Sequence, residues 1–351
     1  MKKKYQNIFF AFGIAVLAVM VAQLDFAQVS DGLRHAGYWF AAVVGLWALL
    51  YVLNTAAWYV IIRAGGKADV KFWWLYKISV SGFALNYATP GGLMGGEPYR
   101  IMMLAPKIGT ERASSSVILY VMTHIFSHFW FWLLSVLLFV CLYPLNALAV
   151  GVAAGGSAFC LLGLWFFIVG YKKGIAMRLM RWMSHVPLLK RWALRFAASH
   201  TEQIETVDRQ IAALHAQNTG TLVVAVGLEL LCRIASAAEI YFIIRVLMPG
   251  ANYVSCVLIL AFTSLFANLL FFIPLQLGGR EGGFLMSVSG LGFSASTGIF
   301  VALIVRLREL VWTGIGLLLI KIGNGGDLPK AEQSEETPSP YISEPPTTDT
   351  N

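Results

Sequence analysis

Long apolar runs separated by short polar or basic segments dominate the chain. Ile8 to Leu24, Tyr38 to Ile62, Ser114 to Leu142, Ala147 to Gly170, Thr221 to Leu247, Tyr253 to Ile273 and Gly298 to Ile320 are close to the roughly 20 apolar residues that a helix needs to cross a bilayer. Phe72 to Ala88 is shorter and carries Lys77, so it reads either as a span or as a shorter arm. Met1-Lys2-Lys3-Lys4 ahead of the first run resembles a secretory signal. The exit Gln23-Leu24-Asp25-Phe26 offers no small-x-small cleavage site, and a retained first helix is expected.

Two stretches interrupt this pattern in the same way. Pro90 to Glu97 reads Pro-Gly-Gly-Leu-Met-Gly-Gly-Glu, and Pro274 to Glu281 reads Pro-Leu-Gln-Leu-Gly-Gly-Arg-Glu. Superposed, they align Pro90 with Pro274, Leu93 with Leu277, Gly95 with Gly279 and Glu97 with Glu281, so four of eight positions agree. Proline removes a backbone donor and glycine removes conformational restraint, so each stretch breaks a helix. A charge in hydrocarbon costs several kcal/mol unless it is solvated or paired. The second break, with Gly278, Gly279, Arg280 and Glu281 in succession, is the more pronounced.

Loop charge predicts how the breaks are oriented. Basic residues are retained on the cytoplasmic side, which places Lys2 to Lys4, the Arg63 to Lys71 cluster, Lys107 with Arg112, and the loop from Lys172 to Arg195 inside. The connections near Asp25 to Gly37, at Pro144 to Asn146 and at Pro249 to Asn252 fall outside. The first break is then approached from the cytoplasm, as a hairpin or as two crossings, and the second from the opposite side. Broken helices that meet near the midplane in inverted repeats are the architecture of many secondary transporters. The expected fold is an all-α integral membrane protein with six full crossings and two broken or re-entrant elements, about eight helices in all. The first repeat spans about 1–142 and the second about 147–322, with a basic cytoplasmic linker at 171–220.

Composition agrees with this picture. Of 351 residues, 58% are hydrophobic and 13% charged, and the mean hydropathy of +0.70 is far from that of a soluble domain. Cys141, Cys160, Cys232 and Cys256 sit in apolar runs without Cys-x-x-Cys spacing and read as core residues. In the linker, Arg178, Arg181, Lys190, Arg191 and Arg195 alternate with Trp182, Trp192 and Phe196. That pattern suits a helix lying on an anionic membrane surface, or a plain basic inside loop. Residues 323–351, rich in proline, serine, threonine and glutamate, cannot build a core and are expected to form a disordered cytoplasmic tail.

Ionisable residues inside the spans are the candidate chemistry. Glu229 and Arg233, four apart, share a helix face and can neutralise one another; Arg306 and Glu309, three apart, can do the same. Glu229 and Arg233 are expected to line a cavity. Arg280, Arg100 and the backbone N–H groups near Gly278 and Gly279 would favour a phosphate. Glu97 and Glu281 could act as counter-charges, ammonium ligands or proton carriers, or could simply favour the first turns of the helices they open. His124 and His128, four apart, lack a third metal ligand nearby, so they read as helix-interface histidines, and no metal is expected. No phosphate-cradling glycine motif or nucleophile elbow is present, so neither a catalytic residue nor a cofactor is assigned. The net charge of +8 is accounted for by the inside loops and does not point to nucleic acid.

At these residues the sequence resembles the transmembrane region of the lysylphosphatidylglycerol synthetases, the flippase-like domain family, in a form without the aminoacyl-transfer domain. Pro90, Gly95, Glu97 and Arg100, with Gly109 and Arg112, carry the first motif. Pro274, Gly278, Gly279 and Glu281, then Gly292, Phe293 and Ser294, and then Arg306-Leu307, carry the second. The resemblance implies a multi-pass protein of the bacterial inner membrane that moves a phospholipid or lipid-linked headgroup between leaflets. The helix after the first motif departs from the family's expected acid–arginine pair, reading Tyr120-Val121-Met122-Thr123-His124.

The expected function is therefore lipid translocation through a polar cleft lined by Glu97, Arg100, Arg280, Glu281 and Arg306. The expected partners are membrane lipids, an anionic phospholipid or a lipid-linked headgroup, with a homo-oligomer or envelope-biosynthesis enzymes as further candidates. Secondary transport of a small charged solute and membrane-embedded lipid modification are the alternatives.

Overall fold

The computed structural model describes residues 26–88, 95–144, 146–173, 219–269 and 279–322, with scattered positions between 10 and 22 and between 201 and 209. Pro90, Pro274 and Gly278 lie outside the described residues, as do the tail and most of the first apolar run and the linker.

Ten helices and no strands are present among the described residues. In chain order they are α1 (Phe26–Ala36), α2 (Tyr38–Ala64), α3 (Phe72–Ala88), α4 (Gly96–Ile108), α5 (Thr110–Leu142), α6 (Ala147–Lys173), α7 (Thr219–Leu247), α8 (Tyr253–Leu269), α9 (Gly279–Gly290) and α10 (Ala295–Lys321). Stretches in α2, α5, α6 and α7 are long and apolar enough to cross a membrane. α10 has the length, 27 residues, but carries Arg306, Arg308 and Glu309. α6 shows how apolar residues meet a lipid solvent: Leu162 and Trp165 remain 65% and 63% exposed, a surface that water would not favour.

One expected outer connection is instead a helix. Residues 26–36 form α1 because Phe26, Val29, Leu33 and Ala36 recur at helical spacing. Val29 and Ala36 pack into the core formed by α7, α8, α9 and α10.

The two short-helix pairs lie at the centre of the fold. α3 and α4 have 17 and 13 residues, α8 and α9 have 17 and 12. At about 1.5 Å per residue none of these four helices, over its described residues, spans the roughly 30 Å of hydrocarbon. α4 runs back along α3: the Gly96 N–H donates to Asn86 Oδ1 at 2.7 Å, and one turn on, Arg100 reaches the Ser79 carbonyl. A Cβ at position 96 would collide with the Gly82 carbonyl oxygen, so only glycine permits this approach. In the second pair, Thr263 of α8 touches α9 at Gly283 and donates to Ser287 Oγ at 3.2 Å.

The long helices hold the pairs together. α2 packs along α7, and α10 packs along α3. Successive contacts run α2–α3–α4–α5 in the first part of the chain and α7–α8–α9–α10 in the second. One core joins α2, α3, α4 and α5 around Trp58, Leu75 and Tyr99; another joins α7, α8, α9 and α10 around Phe284 and Ile304.

Candidate functional site

Charged residues on α10 are held by what the neighbouring helices bring to them and by an ion pair of 3.7 Å between Arg308 and Glu309, because a buried charge without a partner is strongly unfavourable. Arg308 donates to Glu239 of α7 through Nε at 2.8 Å and Nη2 at 3.0 Å, with the two residues 4% and 3% exposed. The Trp47 indole of α2 donates to the same carboxylate at 2.9 Å, and the Arg308 guanidinium lies 3.9 Å from the Trp47 ring centroid. Glu309 accepts from Arg280 of α9 and from the Tyr87 hydroxyl of α3 at 2.5 Å. Arg306 donates to Glu281 of α9 at 2.6 Å. Three neighbouring positions on one helix thus bind α2, α3, α7 and α9 together.

A second polar cluster joins α5 to α7. His124 Nδ1 lies 2.7 Å from Glu229 Oε2. Arg233 donates to Ser127 Oγ at 2.9 Å, to His128 Nε2 at 2.7 Å and to the His124 carbonyl at 3.0 Å. All three acceptors are neutral. A guanidinium can only donate, so His128 Nε2 is the acceptor, and the ring proton sits on Nδ1, which donates to the His124 carbonyl at 3.2 Å.

The third cluster is the start of α4. Glu97 Oε1 accepts from Asn86 at 2.8 Å and from Arg100 at 3.4 Å. The Arg100 guanidinium lies 4.6, 5.5 and 5.8 Å from the ring centroids of Phe83, Tyr120 and Trp58, an enclosure suited to the weakly hydrated guanidinium.

Between the first two clusters lies a cavity of about 190 Å³. His128 of α5, Arg233, Ser236 and Glu239 of α7, Thr263, Ser264 and Asn268 of α8 and Arg280 of α9 supply its polar lining, among apolar residues that include Phe131, Leu260 and Phe284. Arg280 also borders a recess of about 10 Å³ with Tyr87, Glu281, Arg306 and Glu309, space for about one water. The arrangement can hold an anion against two guanidinium groups, one of which, Arg233, bonds only to neutral acceptors.

The family model for the lysylphosphatidylglycerol synthase TM region matches residues 8–316. The chain belongs to that family. The match runs through both short-helix pairs and all three polar clusters, so the charged positions of α10 are family territory and not an appended feature. No curated protein and no solved structure matches the chain. Membership and the apolar helices together make this a multi-pass membrane protein of the all-α class.

The structure brings together Arg233, Arg280, Glu281 and Arg306 of the expected cleft residues. Glu97 and Arg100 form their own cluster and are not among the residues that line this cavity. The hydrogen bonds of the two local pairs go to other helices. Glu229 bonds His124 and not Arg233; Arg306 bonds Glu281 and not Glu309. Sharing a helix face gives proximity, but packed neighbouring helices offer better-aligned partners. Gly95 directly precedes α4 and Gly279 opens α9, which puts Glu97 and Glu281 in first turns, where a carboxylate also stabilises the helix dipole. Among the described residues no group of three metal-ligating side chains forms. Glu239, Arg308, Trp47 and Tyr87 were missed by sequence reasoning. Glu239 and Arg308 carry the signal that flagged Glu229, a charge inside an apolar span; Trp47 and Tyr87 carry none.

Proposed function

We propose that this protein moves a phospholipid or lipid-linked headgroup across the bacterial inner membrane. The observation that carries the proposal is the cavity bounded by Arg233 and Arg280, enclosed by helices of a membrane protein and far too small for a whole lipid. A polar headgroup would enter it while the acyl chains stay in the bilayer. The arginines would hold phosphate, and Glu281 with Arg306, beside the neighbouring recess, would exchange partners as the headgroup passes.

In this reading the chain is an inverted repeat, about 1–142 and about 147–322, with both termini cytoplasmic. The matched packing order of α2–α5 and α7–α10 supports it. So do the ends of the short arms, where Gly109 and Gly292 turn the chain at φ 84° and 85° before the long helix that follows. The protein acts as a carrier and breaks no covalent bond; its partners are membrane lipids, with envelope-biosynthesis enzymes or a second copy as candidates beyond them.

The test is transbilayer movement of labelled anionic and zwitterionic phospholipids in proteoliposomes, comparing wild type with Glu97→Gln, Arg280→Gln and Glu281→Gln at matched reconstitution. Protein-dependent movement that falls in Arg280→Gln and Glu281→Gln is expected. Absence of movement with every lipid, with and without a proton gradient, would reject the proposal.

A further inference from the structure

The tautomer of His128 ties the cavity to protons. Its Nε2 lone pair accepts from Arg233, and both residues line the cavity. A proton arriving at Nε2 from cavity water would occupy that lone pair and turn the acceptor into a donor. Two N–H groups would then face each other and the bond to Arg233 Nη1 would be lost, leaving that N–H group to seek a new acceptor in the cavity while Nε and Nη2 stay on Ser127 and the His124 carbonyl. In an empty cavity the imidazolium and the guanidinium repel; an anion between them removes the repulsion.

We propose that the cavity is a binding site for an oxyanion, held by Arg233 and Arg280, whose occupancy is coupled to uptake of one proton at His128 Nε2. The oxyanion is either the phosphodiester of a lipid headgroup or a free inorganic anion. The lipid arm rests on the translocation proposal above; the anion site itself does not. Coupling between two ligands is reciprocal, so anion binding favours the proton and acid favours the anion.

The surroundings of His128 set the balance. On its own helix it faces His124. α7 brings Glu229, Arg233 and Glu239 to this side, and Cys232 sits between the first two, bonded to Asn54 of α2. α9 brings Arg280, and α4 brings Arg100 close to Tyr120, one turn before His124. α6 contributes Cys160, in the core beside Trp132. α8 contributes Thr263, Ser264 and Asn268 and α2 contributes Trp47, none of which titrates. Glu229 gives Oε2 to His124 and keeps Oε1 buried and unpartnered, Glu239 is engaged by Arg308 and Trp47, and His128 bonds neither carboxylate, so direct contact with a charged His128 is open. That place is left to the incoming anion.

The experiment uses the full chain in lipid nanodiscs and two probes whose charge is constant over the range tested: sulfate and short-chain dihexanoyl phosphatidylglycerol. Binding is followed at about pH 8 and about pH 5.5, the window in which histidine titrates, by calorimetry in buffers of different ionisation enthalpy. Wild type should bind at least one probe about tenfold more tightly at the lower pH, within the usual range of site-to-site coupling, and should take up about one proton. His128→Gln keeps an acceptor for Arg233 but cannot titrate; it should bind with one affinity at both pH values and release the proton linkage, and His128→Asn should do the same. Arg233→Gln, checked for monodisperse elution, should lose binding at both.

Unchanged pH dependence in both His128 variants, or no binding of either probe to wild type, would overturn the proposal. Proton-linked sulfate binding without lipid movement would keep this site and sink the translocation proposal. Lipid movement with pH-independent binding would do the reverse.

Discussion

Asn86 and Tyr87, successive residues of α3, hold two carboxylates from distant parts of the chain: Asn86 donates to Glu97 at the start of α4, and Tyr87 donates to Glu309 in the middle of α10. Neighbouring side chains on a helix diverge by about 100°, so α3 serves as a divider with one cluster on each side.

Tyr87→Phe removes the hydroxyl from Glu309 and leaves Arg280 in place. A hydrogen bond to a buried charged group contributes about 1.5–3 kcal/mol, so the apparent melting temperature in detergent should fall. Asn86→Leu removes the acceptor for the Gly96 N–H as well as a donor to Glu97, and should lower it further. Equal melting of Tyr87→Phe and wild type would show that the bond contributes nothing net.

Arg308 and Glu239 are buried together; removing either strips the other of its closest counter-charge, leaving Arg308 only Glu309 at 3.7 Å and Glu239 only the Trp47 indole, at a cost approaching the roughly 3–5 kcal/mol of a broken buried pair. Arg308→Met and Glu239→Gln should each reduce monodisperse protein in fluorescence-detected size exclusion. The double variant Arg308→Met with Glu239→Leu should lose less than the sum of the two, because it strands no charge. Additive losses would mean that the two residues act independently.

Glu281 is 39% exposed, and a partly solvated ion pair contributes little to stability. Glu281→Gln should therefore fold at near wild-type abundance while lipid movement in proteoliposomes drops at least about tenfold, the loss of roughly 1.4 kcal/mol of barrier lowering. Normal movement in this variant would remove Glu281 from the pathway.

At Gly316, α10 packs directly against α3. A Cβ there would lie 2.5 Å from the Ala84 Cβ and 2.8 Å from the Val80 carbonyl oxygen, and the Ser81 hydroxyl donates to the Gly316 carbonyl at 3.0 Å. Gly316→Ala should destabilise by about 1–3 kcal/mol through overpacking, and Gly316→Leu by more, both measurable as earlier thermal aggregation in detergent.

The long helices were legible because apolar stretches of about 20 residues with few charges point to long buried or membrane helices: the expected ends of α2, α5, α6, α7 and α10 fall within a few residues of those observed. α1 was not, because an 11-residue amphipathic stretch between two spans reads as a polar connection until its apolar face meets a core. The charged residues could be picked out singly, since Glu229, Arg233, Arg280 and Arg306 each stand in apolar surroundings. Their pairing could not. Partners such as Arg280 with Glu309 and Arg308 with Glu239 lie on different helices, and only the packed bundle decides which carboxylate a guanidinium reaches.

The aromatic enclosure of Arg100 bears on how this molecule could move at all. A cation seated against Phe83, Trp58 and Tyr120, from three different helices, resists any sliding of α4, because a shift of a few ångströms would strip the guanidinium of ring faces on α2, α3 and α5 at once. α9 has no such rivet. Its two charged residues bond to α10, Arg280 to Glu309 and Glu281 to Arg306, through bonds that a passing anion or cation could replace one for one. If the molecule has a stator and a shuttle, α4 belongs to the first and α9 to the second.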